Sequence, residues 1–282
     1  MWLQELQDDQ YLTFIGDHFD TYFTFGFFSP WQRNILIQSP YLCLDATHKT
    51  TNIEKCLLYT VVVRHPKTGT GCPVAFCFTT DHSVNPLVQF LSFLKNNGCT
   101  NVLKITIDVS NIELNPIKEV YPQAQVQWCL FHVARAWMGK IKEHVKTGSS
   151  INNGIVHKAI ITSLKSMMWE RSRPAFTAKL AAFIQQFGEY TSLIRYLKTY
   201  YFDNDTFMRW TACYQVEVYT NMETNNYVES RHNQLKTTYL RRKQNRKVDR
   251  LIFILVKDIE YDYQNNVKRL ILNVGRMSPE QR

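Results

Sequence analysis

Apolar positions recur along this chain in two rhythms, and the places where one gives way to the other outline its elements. Between residues 40 and 80, YLCLDAT, LLYTVVVR and VAFCFTT are short runs of β-branched and aromatic residues separated by turn-forming stretches such as RHPKTGTGCP. They predict three strands in an antiparallel meander. SVNPLVQFLSFLKNNG then shifts to helical spacing, with Ser83 or Asn85 as cap, Pro86 in the first turn, apolar residues at 87, 90, 91 and 94, and Gly98 as terminator. VLKITID at 102 to 108 reads as a fourth strand and IELNPIKEVYP as a short helix. AQVQWCLFHV reads as a fifth strand running into the helix ARAWMGKIKEHV.

From about Thr147 to Phe207 the strand rhythm stops. IVHKAIITSLKSMMW, PAFTAKLAAFIQQF and YTSLIRYLKTYYF repeat apolar residues every three or four positions, which predicts an all-helical insertion. WTACYQVEVYT follows without a clear state. A helix capped by Thr224 then covers NNYVESRHNQLKTTYL, and a long last helix holds RLIFILVKDIEYDYQNNVKRLIL. The first 39 residues, rich in Phe and Tyr, predict an initial helix and hairpin. The expected layout is a lead-in segment (1–39), a first part of the core (40–146), the helical insertion (147–207) and C-terminal helices completing the core (208–282).

Composition narrows the class. With 45% hydrophobic and 20% charged residues, the 282-residue chain has enough apolar surface for a core and is not generally disordered. Its net charge of +9 favours a polyanionic partner, nucleic acid or an anionic membrane face. No apolar run reaches the length of a spanning helix, since LIFILV is closed by Arg250 and Lys257, so no membrane role is expected. The N-terminus MWLQELQDDQ is acidic where a signal peptide is basic, and seven cysteines are an odd number, so free thiols in an intracellular, reducing compartment are expected.

The order βββαβαβα is that of a ribonuclease-H-like α/β fold with a mixed sheet, interrupted here by helices before a last catalytic helix. In that order the first and fourth strands lie side by side, which would bring together Asp45 and Asp108, 63 positions apart. At 100° per residue, Asn225, Glu229, His232 and Lys236 share one side of the later helix, while Val228, Leu235 and Tyr239 share another. Glu229 can then face the sheet edge, with the three carboxylates within about 10 Å of one another. Converging carboxylates need cations, and hard oxygen ligands suit Mg²⁺ or Mn²⁺. Two such ions would activate water or a 3′-hydroxyl for in-line attack on a phosphodiester. Asp81, Glu113, Glu217 and Glu223 are alternative carboxylates, with Glu223 the strongest competitor for the third position.

LDATHKTTN around Asp45, ITIDVSNIEL around Asp108, the CLFH of Cys129 to His132 and TNNYVESRHNQLK around Glu229 together resemble the Mutator-like element (MULE) transposase domain. The resemblance runs from about Phe25 to Arg250, with the motifs in the family's order. It implies an Asp-Asp-Glu transposase site of Asp45, Asp108 and Glu229 that binds two Mg²⁺ or Mn²⁺ ions. Transposon ends and target DNA would be its partners, the nucleus its location, and a homo-oligomer its active form. It also implies that Cys129 and His132 are the family's Cys/His signature, shaping the site wall or contacting DNA. Zinc modules commonly flank this domain, and none is expected within these 282 residues, since no CxxC occurs and no cysteine follows Cys213. This leaves a second reading, a domesticated or decayed DNA-binding relative without catalysis.

Other signals are weaker. Cys129 and His132, with Cys72 and Cys77, have spacings that zinc accepts, but nothing in the sequence makes the pairs neighbours. His48, His132 and His232 could each lie near the acids. From Lys236 to Arg250, seven basic residues (Lys236, Arg241, Arg242, Lys243, Arg246, Lys247 and Arg250) face only Asp249, a run suited to tracking a phosphate backbone. Trp137, Trp169 and Trp210 are candidates for stacking on an unpaired base, against buried packing for at least two of them.

Overall fold

LLYTVVVR is apolar at nearly every position, and a strand of that kind must be covered on both faces. It forms β4 (Leu57–Arg64), buried everywhere except at its last residue. β4 lies between β3 (Tyr41–His48) and β5 (Gly71–Thr79) in an antiparallel meander. β5 continues antiparallel to β2 (Thr24–Phe28), and β2 to β1 (Leu12–Ile15). On the other side, β3 pairs in parallel with β6 (Lys104–Ile107).

These strands belong to the first of two compact units in the computed structural model, residues 1–124 with 225–282; the second unit is 125–224. The structure describes residues 2–17, 21–216, 226–242 and 247–274. The six strands of the first unit run in the order β1-β2-β5-β4-β3-β6, all antiparallel except the last pair. The architecture is α/β with a mixed sheet.

Directly opposed residues share a face of the sheet. One row therefore crosses it from Phe27 to Phe76, Thr60 and Asp45, apolar at one end and polar at the other. At the apolar end the Phe27 ring lies among Tyr11, Phe25, Phe76 and Phe78. On the other face, Phe14 and Phe28 pack against Phe93 of α3 (Asn85–Asn96). Neither Ser83 nor Asn85 caps α3 through its side chain. The helix starts after Val84, and the Ser83 hydroxyl accepts from the Asn85 N–H, the first amide of the helix, and not from the second or third amide that a capping side chain takes.

The remaining helices of this unit are α1 (Trp2–Asp8), α2 (Pro30–Leu36), α4 (Asn111–Val120), α9 (Asn226–Gln234), α10 (Val248–Phe253) and α11 (Glu260–Ile271). α9 ends in a widened π-helical turn over Leu235–Tyr239, and a second such stretch, Ile254–Ile259, joins α10 to α11. Thr224, the expected cap of α9, lies outside the described residues.

The second unit opens with β7 (Gln125–Trp128), followed by α5 (Leu130–His144), α6 (Ser150–Met168), α7 (Arg173–Phe187) and α8 (Thr191–Leu197). A π-helical turn (Lys198–Phe202) and two 3₁₀ turns continue it to Tyr214. The strand expected through AQVQWCLFHV stops at Trp128, because Leu130 and Val133 pack with Trp137 and Ile141 at helical spacing, and Cys129 becomes the cap residue. Aromatic rings make the core: Trp137 meets Trp210 edge-on at 5.0 Å, and Trp210 donates from Nε1 to the Tyr201 carbonyl at 2.9 Å. Trp137 and Trp210 are buried, whereas Trp169 is exposed. Among the described residues no helix is long and apolar enough to cross a membrane.

Candidate active site

The polar end of the sheet row gathers its groups through backbone register. Tyr41 is opposite Lys104, Leu42 opposite Ile105 and Cys43 opposite Thr106 in the parallel β3–β6 pair. The same offset of 63 leads from Asp45 to Asp108, one residue past the end of β6. Neighbouring strands are about 4.8 Å apart, so the two aspartates stand side by side. The Asp45 carboxylate also accepts from the Ala46 N–H at 2.8 Å.

α9 packs against β3, β4 and β5. Its approach depends on Gly71 at the start of β5, where a Cβ would come within 2.6 Å of the Tyr227 Cβ. The Tyr227 hydroxyl donates to the Gly69 carbonyl at 3.2 Å and pins the start of the helix. One turn further, His232 is buried between two cross-strand partners, with Nδ1 3.3 Å from Asp45 Oδ2 and Nε2 3.2 Å from Thr60 Oγ1. An Nδ1–H donating to Asp45 leaves Nε2 to accept from the Thr60 hydroxyl, so one imidazole fixes a carboxylate and reports the helix position.

Residues three apart on a helix are surface neighbours, so Glu229 shares the face of His232, and its Oε1 is buried. Four residues on, the half-buried Lys236 ammonium lies in the field of the same site: burial pushes its pKa down, Asp45 pulls it up, and Lys49 adds to the depression.

A fourth carboxylate enters from α4. Glu113 is buried, and its Oε2 has no hydrogen-bond partner among the described residues. Burial pushes its pKa well above the usual carboxylate range, the Asp45 and Asp108 charges push it further, and a hydrogen bond from the Asp108 backbone partly offsets them. Glu113 therefore lies in the field of both aspartates. The tyrosine on the strand beside them, Tyr59, is raised for the same reasons, by burial first and then by Glu113 and Asp45. Sequence reasoning counted Glu113 only as an alternative; the usable signal was its place in the first turn of the helix that follows Asp108.

Asp81 takes the Ser83 N–H at 2.8 Å and serves a turn, and His48 is exposed at the end of β3. Cys72 and Cys77 are buried in β5, and burial pushes the Cys72 thiol up to about 12 and raises the Cys77 thiol as well. In the second unit Cys129 is buried at the cap of α5, and His132 lies one turn on, its ring edge-on to Phe131 at 5.6 Å. Arg241 and Arg242 are exposed in a turn with φ of 50° and 57°, and Lys247 is exposed at the cap of α10. Glu217, Glu223, Lys243 and Arg246 lie outside the described residues.

Asp45, Asp108, Glu113 and Glu229 offer hard oxygen donors, and the buried, unpartnered Glu113 oxygen beside two like charges is the kind of group a divalent cation stabilises. The donor set fits Mg²⁺ or Mn²⁺. A comparison with curated proteins found no match. Residues 41–136, which include Asp45, Asp108, Glu113 and the Cys129–His132 pair, match the family model of the MULE transposase domain, a similarity that covers this stretch of the chain.

Proposed function

We propose that the chain is the catalytic core of a DNA transposase with a ribonuclease-H-like fold, cutting phosphodiesters at transposon ends and joining the freed 3′-hydroxyl to target DNA. The single observation that carries this reading is the 63-residue register offset, which sets Asp45 beside Asp108 beneath the helix bearing Glu229. The family match over 41–136 supports it, and Glu229 lies beyond that stretch.

In this proposal Asp45, Asp108 and Glu229 hold a pair of Mg²⁺ or Mn²⁺ ions, with Glu113 as a supporting carboxylate. Bound there, the ions would supply Lewis acidity and neutralise charge at the scissile phosphate. His232 fixes the Asp45 rotamer from one side, so that carboxylate meets the substrate preorganised. Lys236 brings a positive charge to the rim, where it can hold a phosphate oxygen. Arg241, Arg242, Lys243, Arg246 and Lys247 extend the positive track along the DNA backbone. The helical stretch before α9 is the insertion of this fold, and work on DNA ends places the protein in the nucleus, as a homo-oligomer when active.

The test is nicking and strand transfer on DNA carrying the inverted repeats that flank the coding locus, in Mg²⁺ and in Mn²⁺. Glu229→Gln keeps the shape and removes a ligand charge, so cleavage should fall by orders of magnitude while metal-free DNA binding persists. Wild-type protein that binds these ends and never cuts them would leave the non-catalytic DNA-binding reading in its place.

A further inference from the structure

α9 has a second polar face. Arg231 and Gln234 line a cleft of about 400 Å³ together with α11 and with Thr70 from the turn before β5, a volume typical of small-ligand sites. Arg231 and Arg269 bring two guanidiniums to it, while Gln234, Asn265 and Asn266 bring amides. Arg231 is held in place, stacked 4.7 Å from the centre of the Tyr263 ring and donating to Gln234, yet its Nε is buried without a hydrogen-bond partner among the described residues. The Arg269 side chain, in the last turn of α11, also has no partner among the described residues. The acid on the wall, Asp262, accepts from the Tyr239 hydroxyl at 2.6 Å, so the two arginines leave the cleft net positive.

Two forked cations, an unfilled buried donor and neutral amides around one cleft suit a group with several acceptor oxygens in different directions. A phosphate has that geometry, whereas a planar carboxylate fills one fork and leaves the other. We infer that this cleft binds a phosphate group, and that its source is the DNA backbone. The source rests on the transposase reading and on the exposed Arg241 and Arg242, which follow the cleft residue Tyr239 by two and three positions. The site acts in binding alone, and Asp45, Asp108, Glu113 and Glu229 are not among the residues that line it.

The experiment is done on the full chain in chelator, so that cutting plays no part, with thymidine 5′-monophosphate and a short DNA duplex as probes. Arg269→Gln and Asn266→Ala change the cleft at α11 positions whose side chains make no hydrogen bond among the described residues, and Lys118→Gln, on the exposed face of α4, is the charge-matched control. Arg269→Gln should weaken duplex binding about tenfold and lower its salt slope by about one counterion, Asn266→Ala should weaken it less, and Lys118→Gln should change neither. Loss confined to the nucleotide keeps the phosphate site and overturns the DNA source. Arg269→Gln and Asn266→Ala indistinguishable from Lys118→Gln with both probes would overturn the site itself. Because the readout needs no metal, cutting that fails while cleft binding persists removes only the transposase chemistry, and the reverse removes only the cleft.

Discussion

The two ends of one sheet row obey different physics. At Phe27 and Phe76, side chains are buried among other rings and every contact lowers the free energy of the fold. At the polar end the buried Glu113 is pushed towards its neutral form, first by burial and then by the charges of Asp45 and Asp108. A packed row that turns into a cluster of like charges trades stability for a site, and the rigid apolar end is what holds the strained polar end in register. Thr60 marks the boundary, paired to Phe76 on one strand and to Asp45 on the other.

The comparison breaks most easily at the apolar end. Phe27→Ala should cost about 3–5 kcal/mol, read as a large fall in denaturant midpoint, while molecules that remain folded keep their metal-dependent cutting. This is the opposite of Glu229→Gln, which should spare stability and remove cutting. A Phe27→Ala protein that is stable but inactive would show that the two ends are not separable.

Gly71 tests the link between the ends. Gly71→Ala forces a methyl group against Tyr227, and such overpacking costs about 1–3 kcal/mol. Because α9 must move to relieve it, His232 should lose its position at Asp45 and cutting should fall with stability. Full activity in Gly71→Ala would mean that α9 need not sit as close as it does.

The smallest effect has the opposite sign. Glu113 has a raised pKa in the folded state, so its contribution is fully favourable below the unfolded carboxylate pKa of about 4.3 and is lost as pH rises through the folded value. In chelator, Glu113→Gln should match wild type at low pH and exceed it at neutral pH. The gain should be about 2–4 °C in Tm for each kcal/mol of penalty removed. Identical pH dependence in both proteins would remove Glu113 from the charged cluster.

Much of the sheet is legible in the sequence because its strands carry local signals: continuous apolar runs at 57–64 and 71–79, and turn residues between them. The hairpin β1–β2 is suggested by the same means, but its docking on β5 is a long-range pairing that no local pattern encodes. LFHV misleads, because aromatic and β-branched residues serve a strand or a buried helix face equally well over four positions. The π-helical turns at 235–239 and 254–259 add a residue to a helix without changing its composition, so sequence periodicity passes over them. In the site, Asp45 and Asp108 can be paired from strand ends and spacing alone. Glu113 and the Asp45–His232–Thr60 bridge cannot, since their roles depend on how α4 and α9 pack. The Arg231–Arg269 cleft is assembled from three distant stretches and leaves no trace in any one of them.

The central claim is that Asp45, Asp108 and Glu229 form one divalent-cation site. Its most direct test is Mn²⁺ binding, followed by the loss of free-ion paramagnetic resonance signal, in wild type and in the single variants Asp45→Asn, Asp108→Asn and Glu229→Gln. Each variant should lose about tenfold or more in affinity, and pairs of changes should do little further harm because the ligands act as a unit. Wild-type binding no tighter than that of the variants, or Glu229→Gln alone retaining full affinity, would contradict the account.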